Sequence, residues 1–317
     1  MKKILILTLI IISGHGFIYS QEGEALKDTT WKKGGVASVN LTQAYYENWT
    51  AGGVPSVAGI AFLKSYAVYE KGKWKWDNQF DFAYGLINER NKLMRKTDDK
   101  IQIDSKFGYK TGKNWYTSML ASFRTQFTEG WEDPYEQEVK ISDFMSPAYF
   151  ILSLGFDYNP KDNFSLFMSP VATKTTIVLD QELADAGAFG VDGREVQYIT
   201  SDTTVIDSVI TPGKNYRLEM GAQIKLMYKA HVWENVDFIT KLELFTNYFE
   251  NFGNIDVNWE ALLEMKVNDY LSANLRVEMI YDDDIDILTG VDDDGTEHFG
   301  PRLQIKQLFG LGLSYRF

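Results

Sequence analysis

The chain has 317 residues, no cysteine and a formal net charge of -12. Lack of cysteine excludes a disulfide framework, a thiolate nucleophile, a Cys-held metal and a Cys-linked lipid anchor. The acidic balance leaves no basic excess to neutralise phosphates, so no nucleic-acid partner is expected.

Residues 1–20 have the layout of a secretory signal peptide. Lys2 and Lys3 precede the apolar run Ile4 to Ile12, and the small residues Ser13, Gly14 and Ser20 follow. The run is short for a spanning helix. Cleavage after Ser20 is expected, then a short periplasmic segment over 21–34 and a single barrel domain over 35–317.

From there the chain alternates with a period of two, as strands do when successive side chains face opposite ways. Strands are expected near 36–47 and 57–70, the second with Lys64 among apolar neighbours. Within 74–86, Trp74, Trp76, Phe80, Phe82 and Tyr84 share one face, and Lys75, Asp77, Gln79 and Asp81 share the other. The same split recurs at 101–110, 115–127, 150–158, 216–229, 236–248, 255–266, 271–281 and 303–317. Segment 163–174 is weaker, and Pro170 inside it implies a bulge or a strand end. Long spans, ring-capped apolar rows and fully charged opposite rows suit lipid outside and water inside, whereas a sandwich core would bury those charges unpaired. The expected fold is all-β: a transmembrane antiparallel up-and-down β-barrel of about 12 strands, within roughly 10–14.

The links alternate in length. Those at 70–73, 110–114, 159–163, 229–235 and 267–270 are short, and those at 87–100, 128–147, 175–214 and 282–301 are long. Short periplasmic turns and long extracellular loops have this contrast. Strand-like stretches within 175–214 are expected either as a hairpin above the membrane or as two further barrel strands. Leu313, Tyr315 and Phe317 end the last apolar row and resemble the C-terminal signal read by the outer-membrane assembly machinery.

Two histidines, His231 and His298, remain after the leader, and no lipase-like motif surrounds either, so no enzyme and no cofactor are expected. The lumen is the best candidate surface. Lys106, Arg124, Arg217, Lys225, Lys241 and Arg276 are expected to line it, with Glu219, Glu243, Glu260, Glu264 and Glu278 nearly balancing their charge. Balanced charges can cross-pair and brace a narrow interior. In the last outer loop Asp282, Asp284, Asp292 and Asp294 offer carboxylates for Ca²⁺, which takes six to eight oxygens, or form a solvated acidic loop. The basic run Arg90, Lys92, Arg95, Lys96 and Lys100 is expected in a loop beside Asp98 and Asp99.

NWTAGG (48–53), WKWDNQFDFAYG (74–85), RKTDDK (95–100), FMSPAYF (144–150) and FMSP (167–170) together resemble an envelope-protein family of Bacteroidota, the domain of unknown function 3078. The resemblance implies an exported outer-membrane β protein and carries no site residues. The expected role is a passive channel or binding protein for small polar solutes, in contact with outer-membrane lipid and lipopolysaccharide. The rivals are an interaction barrel with a filled lumen, working through its loops, and a lipid-acting enzyme.

Overall fold

The computed structural model describes residues 31–44, 55–89, 92–131, 139–201, 204–292 and 296–317. The expected signal peptide, NWTAGG, Arg90 and Asp294 lie outside them. Twelve antiparallel strands form a closed barrel, each beside its neighbour in the chain. They are β1 (Trp31–Ala44), β2 (Ser56–Lys71), β3 (Trp74–Glu89), β4 (Arg95–Lys110), β5 (Trp115–Thr125) and β6 (Ala148–Lys161). After them come β7 (Phe164–Ile177), β8 (Tyr216–Trp233), β9 (Val236–Asn247), β10 (Asp256–Lys266), β11 (Leu271–Tyr281) and β12 (Gln304–Arg316). β12 closes on β1.

Among the described residues, one end of the barrel carries only tight turns between strands. Gly72 (φ 62°) and Asn235 (φ 64°) sit in the two-residue turns β2–β3 and β8–β9 in the left-handed conformation those turns need. At the other end the long links fold on themselves. Glu195–Ser201 pairs with Thr204–Thr211 in a sheet of its own, as Asp286–Val291 does with Glu297–Pro301. The count is therefore twelve, and the stretch at 195–211 stands outside the barrel wall.

The link expected over 87–100 is much shorter. β3 runs to Glu89 and β4 starts at Arg95. RKTDDK is polar on both faces, so no apolar row marks it as a strand, yet it pairs with β3 through a bulge at Gly85 and Leu86. β1 likewise begins at Trp31, inside the segment expected to precede the barrel.

Outward rows are apolar and open: Leu154 is 55% exposed and Leu218 61%. Around the turn end, outward rings touch in sequence. Trp31 meets Tyr69 and Trp76, Trp74 stacks on Phe107, and Trp115 lies against Tyr158. A ring girdle bordering an apolar band is the signature of a lipid–water boundary.

Candidate functional site: the lumen and its outer mouth

The strand alternation that turns rings outward turns charges inward, and β7 shows how an exception is handled. Pro170 cannot donate to the ladder. The register of β7 shifts against both neighbours there, and Ser169 donates its hydroxyl to Leu154 O at 2.7 Å. Inward positions pass from Ser165, Phe167 and Ser169 to Ala172, Lys174 and Thr176, all buried. The bulge thereby aims Lys174 into the lumen.

Charges from non-adjacent strands then meet across the interior. Glu260 on β10 accepts from Lys100 of β4 at 2.8 Å and from Lys64 of β2 at 3.2 Å. Lys241 of β9 reaches Asp81 of β3 at 2.9 Å, and Lys225 of β8 reaches Asp104 of β4 at 2.7 Å. Ser122 also donates to Asp104. Glu278 of β11 pairs with Lys306 at 2.9 Å and Arg124 at 3.5 Å. Nearer the turns, Lys106 meets Asp157 at 2.6 Å, and Ser165 links the two. Lys100, Asp104, Glu260 and Glu278 are each under a tenth exposed. Charges so far from water are tolerable only because each is paired.

At the loop end Lys174 reaches Asp256 at 2.6 Å, Asp282 at 3.2 Å and Glu219 at 3.7 Å. Arg217 reaches Asp284 at 2.7 Å, Glu250 at 3.1 Å and Glu219 at 3.4 Å. Beside these groups and the belt lies a cavity of about 430 Å³ lined by Lys100, Arg124, Lys174, Glu278, Asp282 and Phe189 among others.

Phe189 belongs to a small cap. The helix α1 (Gln181–Asp185) is N-capped by Asp180, which accepts from Glu182 N at 3.0 Å and Leu183 N at 3.1 Å. Val178, Leu183, Ala184 and Val191 form its core, with Phe189 packed against them. Phe189 holds φ 59°, a conformation uncommon for a ring-bearing residue. Arg217 Nη1 donates to Gly190 O at 3.2 Å, tying cap to barrel. Lys140 bonds Asp180 at 2.9 Å and Asp143 at 3.2 Å. The bonds to Asp180 and then Asp143 raise Lys140 above the usual lysine range. Burial pushes Asp180 upward, but the bonds from Lys140 and from the α1 backbone outweigh it and hold the carboxyl below its usual value.

Of the acidic-loop residues, Asp282 and Asp284 are committed to Lys174 and Arg217, while Asp292 meets His298 Nε2 at 2.7 Å. Among the described residues no three His, Cys, Asp or Glu side chains are grouped to hold a metal. His231 sits at the opposite end, 3.0 Å from Asp237. Glu243 takes Lys225 at 3.4 Å and Gln223 at 2.7 Å, and Glu264 lies 3.6 Å from Arg316. Arg276 stacks on Phe62 with 4.8 Å to the ring centre. Leu313, Tyr315 and Phe317 are all exposed on the outer face. The ring of Phe317 lies where a Cβ on Gly35 would be, and the two backbones exchange bonds at 2.9 and 3.1 Å.

The sequence reading did not single out Lys64, Lys100, Asp98, Asp157 or Lys174 for the interior. Lys64 carried a signal: it shares parity with Ile60 and Phe62, so its whole row faces inward, apolar members included. Lys174 was hidden by the parity change at Pro170, and Lys100 and Asp98 by a strand end without an apolar row.

Among solved structures, the translocator domain of the autotransporter NalP from Neisseria meningitidis aligns over 92% of this chain and 90% of its own, at 9% identity and a TM-score of 0.35. An outer-membrane channel from Pseudomonas putida F1 aligns over 93% and 100%, at 11% identity and 0.36. The NanC porin aligns over 89% and 98%, at 8% identity and 0.35. No curated protein matches. Residues 41–131, from late β1 through β5 to Trp131, match the family model described as Protein of unknown function (DUF3078), so the resemblance read from the sequence holds over that segment.

Proposed function

We propose that this is a non-catalytic barrel of a Gram-negative outer membrane that captures small polar solutes at its extracellular mouth, above a lumen held shut by ion pairs. The loop end faces outward and the turn end lies in the periplasm, reached by export behind the signal peptide. Leu313, Tyr315 and Phe317 are the row offered to the assembly machinery, and the ring girdle meets lipid. One observation carries the reading: a 430 Å³ cavity with Arg124, Lys174, Glu278 and Asp282 around it, above belt charges that are nearly dry. Walls of both signs suit a solute that itself carries both signs, with an apolar part against Phe189 and Tyr149. Calorimetry on the purified barrel with leucine, glutamate, lysine and glucose tests it. Leucine is expected to bind best, and Arg124→Gln to weaken it about tenfold, the loss of one charged hydrogen bond. Absence of binding by every charged solute, or equal binding of glucose, overturns the reading. The ordered cap favours a second reading, an interaction barrel working through its loops, in which solutes do not bind and removal of 195–211 abolishes partner capture.

A further inference from the structure

The ion-pair belt leaves part of the interior beside the β1–β12 seam unfilled. A second cavity of about 190 Å³ lies against β1, β2, β10, β11 and β12. Its walls are largely apolar, with Ile60, Phe62, Leu262, Leu308 and Phe309 among them. Two buried polar side chains also line it with atoms that make no hydrogen bond, although the Arg276 guanidinium keeps the Glu260 carboxylate at 4.0 Å and the Phe62 ring beneath it. Asn40 is 3% exposed, and neither its Oδ1 nor its Nδ2 is hydrogen-bonded. Arg276 is 4% exposed, and its Nε makes no hydrogen bond. Buried polar groups are rarely left this way, and where they are a ligand or water is the ordinary reason.

The barrel wall beside this cavity is its thinnest join. β12 pairs with β1 through Gly312–Arg316 and Val36–Asn40, continued by the two backbone bonds between Phe317 and Gly35, the shortest pairing of barrel strands among the described residues. Among the described residues Gln304–Leu311 pair with β11 alone, and Leu41–Ala44 with β2 alone. Phe309 alternates with lumen-facing Leu308 and Gly310, so its ring belongs to the outer face, where it is 69% exposed. The cavity borders β12 at Leu308, Phe309 and Gly310, within the stretch that pairs with β11 alone, so it lies at the open part of the seam. A Cβ on Gly310 would collide with the Asn40 amide, so this glycine makes room for that side chain against β12.

We infer that the seam between β1 and β12 is a lateral pocket for the head of a single-chain amphiphile, whose tail stays in the bilayer along Phe309. The unfilled groups fix the chemistry of the head. Asn40 Nδ2 and Arg276 Nε need acceptors, and Asn40 Oδ1 needs a donor. A hydroxylated neutral head supplies both; a carboxylate supplies no donor. A free fatty alcohol and a monoacylglycerol share this chemistry. The inference rests on the barrel being lipid-embedded and not on solute capture at the mouth.

The test is saturable binding of labelled 1-monolauroylglycerol to the whole barrel in phosphatidylcholine nanodiscs, above empty-disc background, with dodecanol, laurate at pH 9 and dodecane as competitors. The lauroylglycerol is expected to bind, dodecanol to compete, and laurate and dodecane to compete at least tenfold more weakly. Competition by dodecanol as strong as that by unlabelled lauroylglycerol assigns recognition to one hydroxyl; weaker competition assigns it to the glyceryl head; both support the pocket. Asn40→Leu is expected to lower affinity at least tenfold without lowering the thermal midpoint, because it removes an unpartnered amide. Leu308→Trp, which fills the cavity and removes no polar group, is expected to do the same. Arg124→Gln, at the mouth, is expected to leave this binding intact. Absence of saturable binding, binding unchanged in both pocket variants, or laurate competing as well as the alcohol overturns the inference.

Discussion

The two sides of the lumen use one strand pattern to opposite ends. On the side built from β3 to β11, inward carboxylates and amines find each other across the barrel, as in Asp81–Lys241 and Asp104–Lys225. On the seam side Ser38 and Asn40 of β1 and Leu308, Gly310 and Gly312 of β12 are too short or too apolar to reach across, and Lys306, nearer the loop end of β12, joins the belt instead, 3.0 Å from Asp98. The first arrangement closes on itself and braces the wall. The second leaves a cavity with unsatisfied polar atoms. One strand pattern thus yields both an interior whose charges satisfy one another and an interior whose polar atoms do not.

Removing one polar group from each side should break this contrast most visibly. Glu260→Ala strands Lys64, Lys100 and Arg276 near one another, and should lower unfolding free energy in denaturant titrations by about 3–5 kcal/mol. Asn40→Leu removes only an unpaired amide, and should leave stability unchanged or raise it by about 1–3 kcal/mol. A comparable loss in both would erase the distinction between the two sides. The pair Asp81 and Lys241 sharpens it next. Asp81→Asn should destabilise by about 3 kcal/mol, and adding Lys241→Met should restore most of that, giving a coupling well above the error of a double-mutant cycle.

A smaller effect is expected at the cap. Lys140 is raised above 10.5, so its contribution is complete below that pH and is lost as pH rises through the higher folded value. Asp180 is lowered below 3.8, so its contribution is complete above that pH and is lost as pH falls through the lower folded value. Protease resistance of residues 178–194 should therefore be flat across neutral pH and fall at both extremes, and Lys140→Met should remove the alkaline limb. Least of all, His231→Ala at the exposed turn should change stability by no more than about 0.5 kcal/mol.

How much of this could be read beforehand follows from where each residue meets lipid. Across the membrane, opposite solvents force alternation, so rows such as Trp74 to Tyr84 against Asp77 to Asp81 identify both faces. Beyond the lipid the outer face needs no apolar row and the signal vanishes, which is why the start of β4 reads as a loop and the buried Lys100 as a surface lysine. Pro170 announced a bulge but not the parity change that brings Lys174 inward. Which carboxylate pairs with which amine depends on strands far apart in sequence, as Lys64 and Glu260 are, and a period of two holds no information about that. The seam was equally hidden, because it is defined by where pairing stops.

Single-channel recording in planar bilayers tests the central claim, a lumen closed by its own ion pairs. The wild-type barrel should show no steady conductance, and the Lys100→Ala, Glu260→Ala double variant should open stepwise. Steady ohmic current through the wild type, unchanged in the double variant, would contradict it.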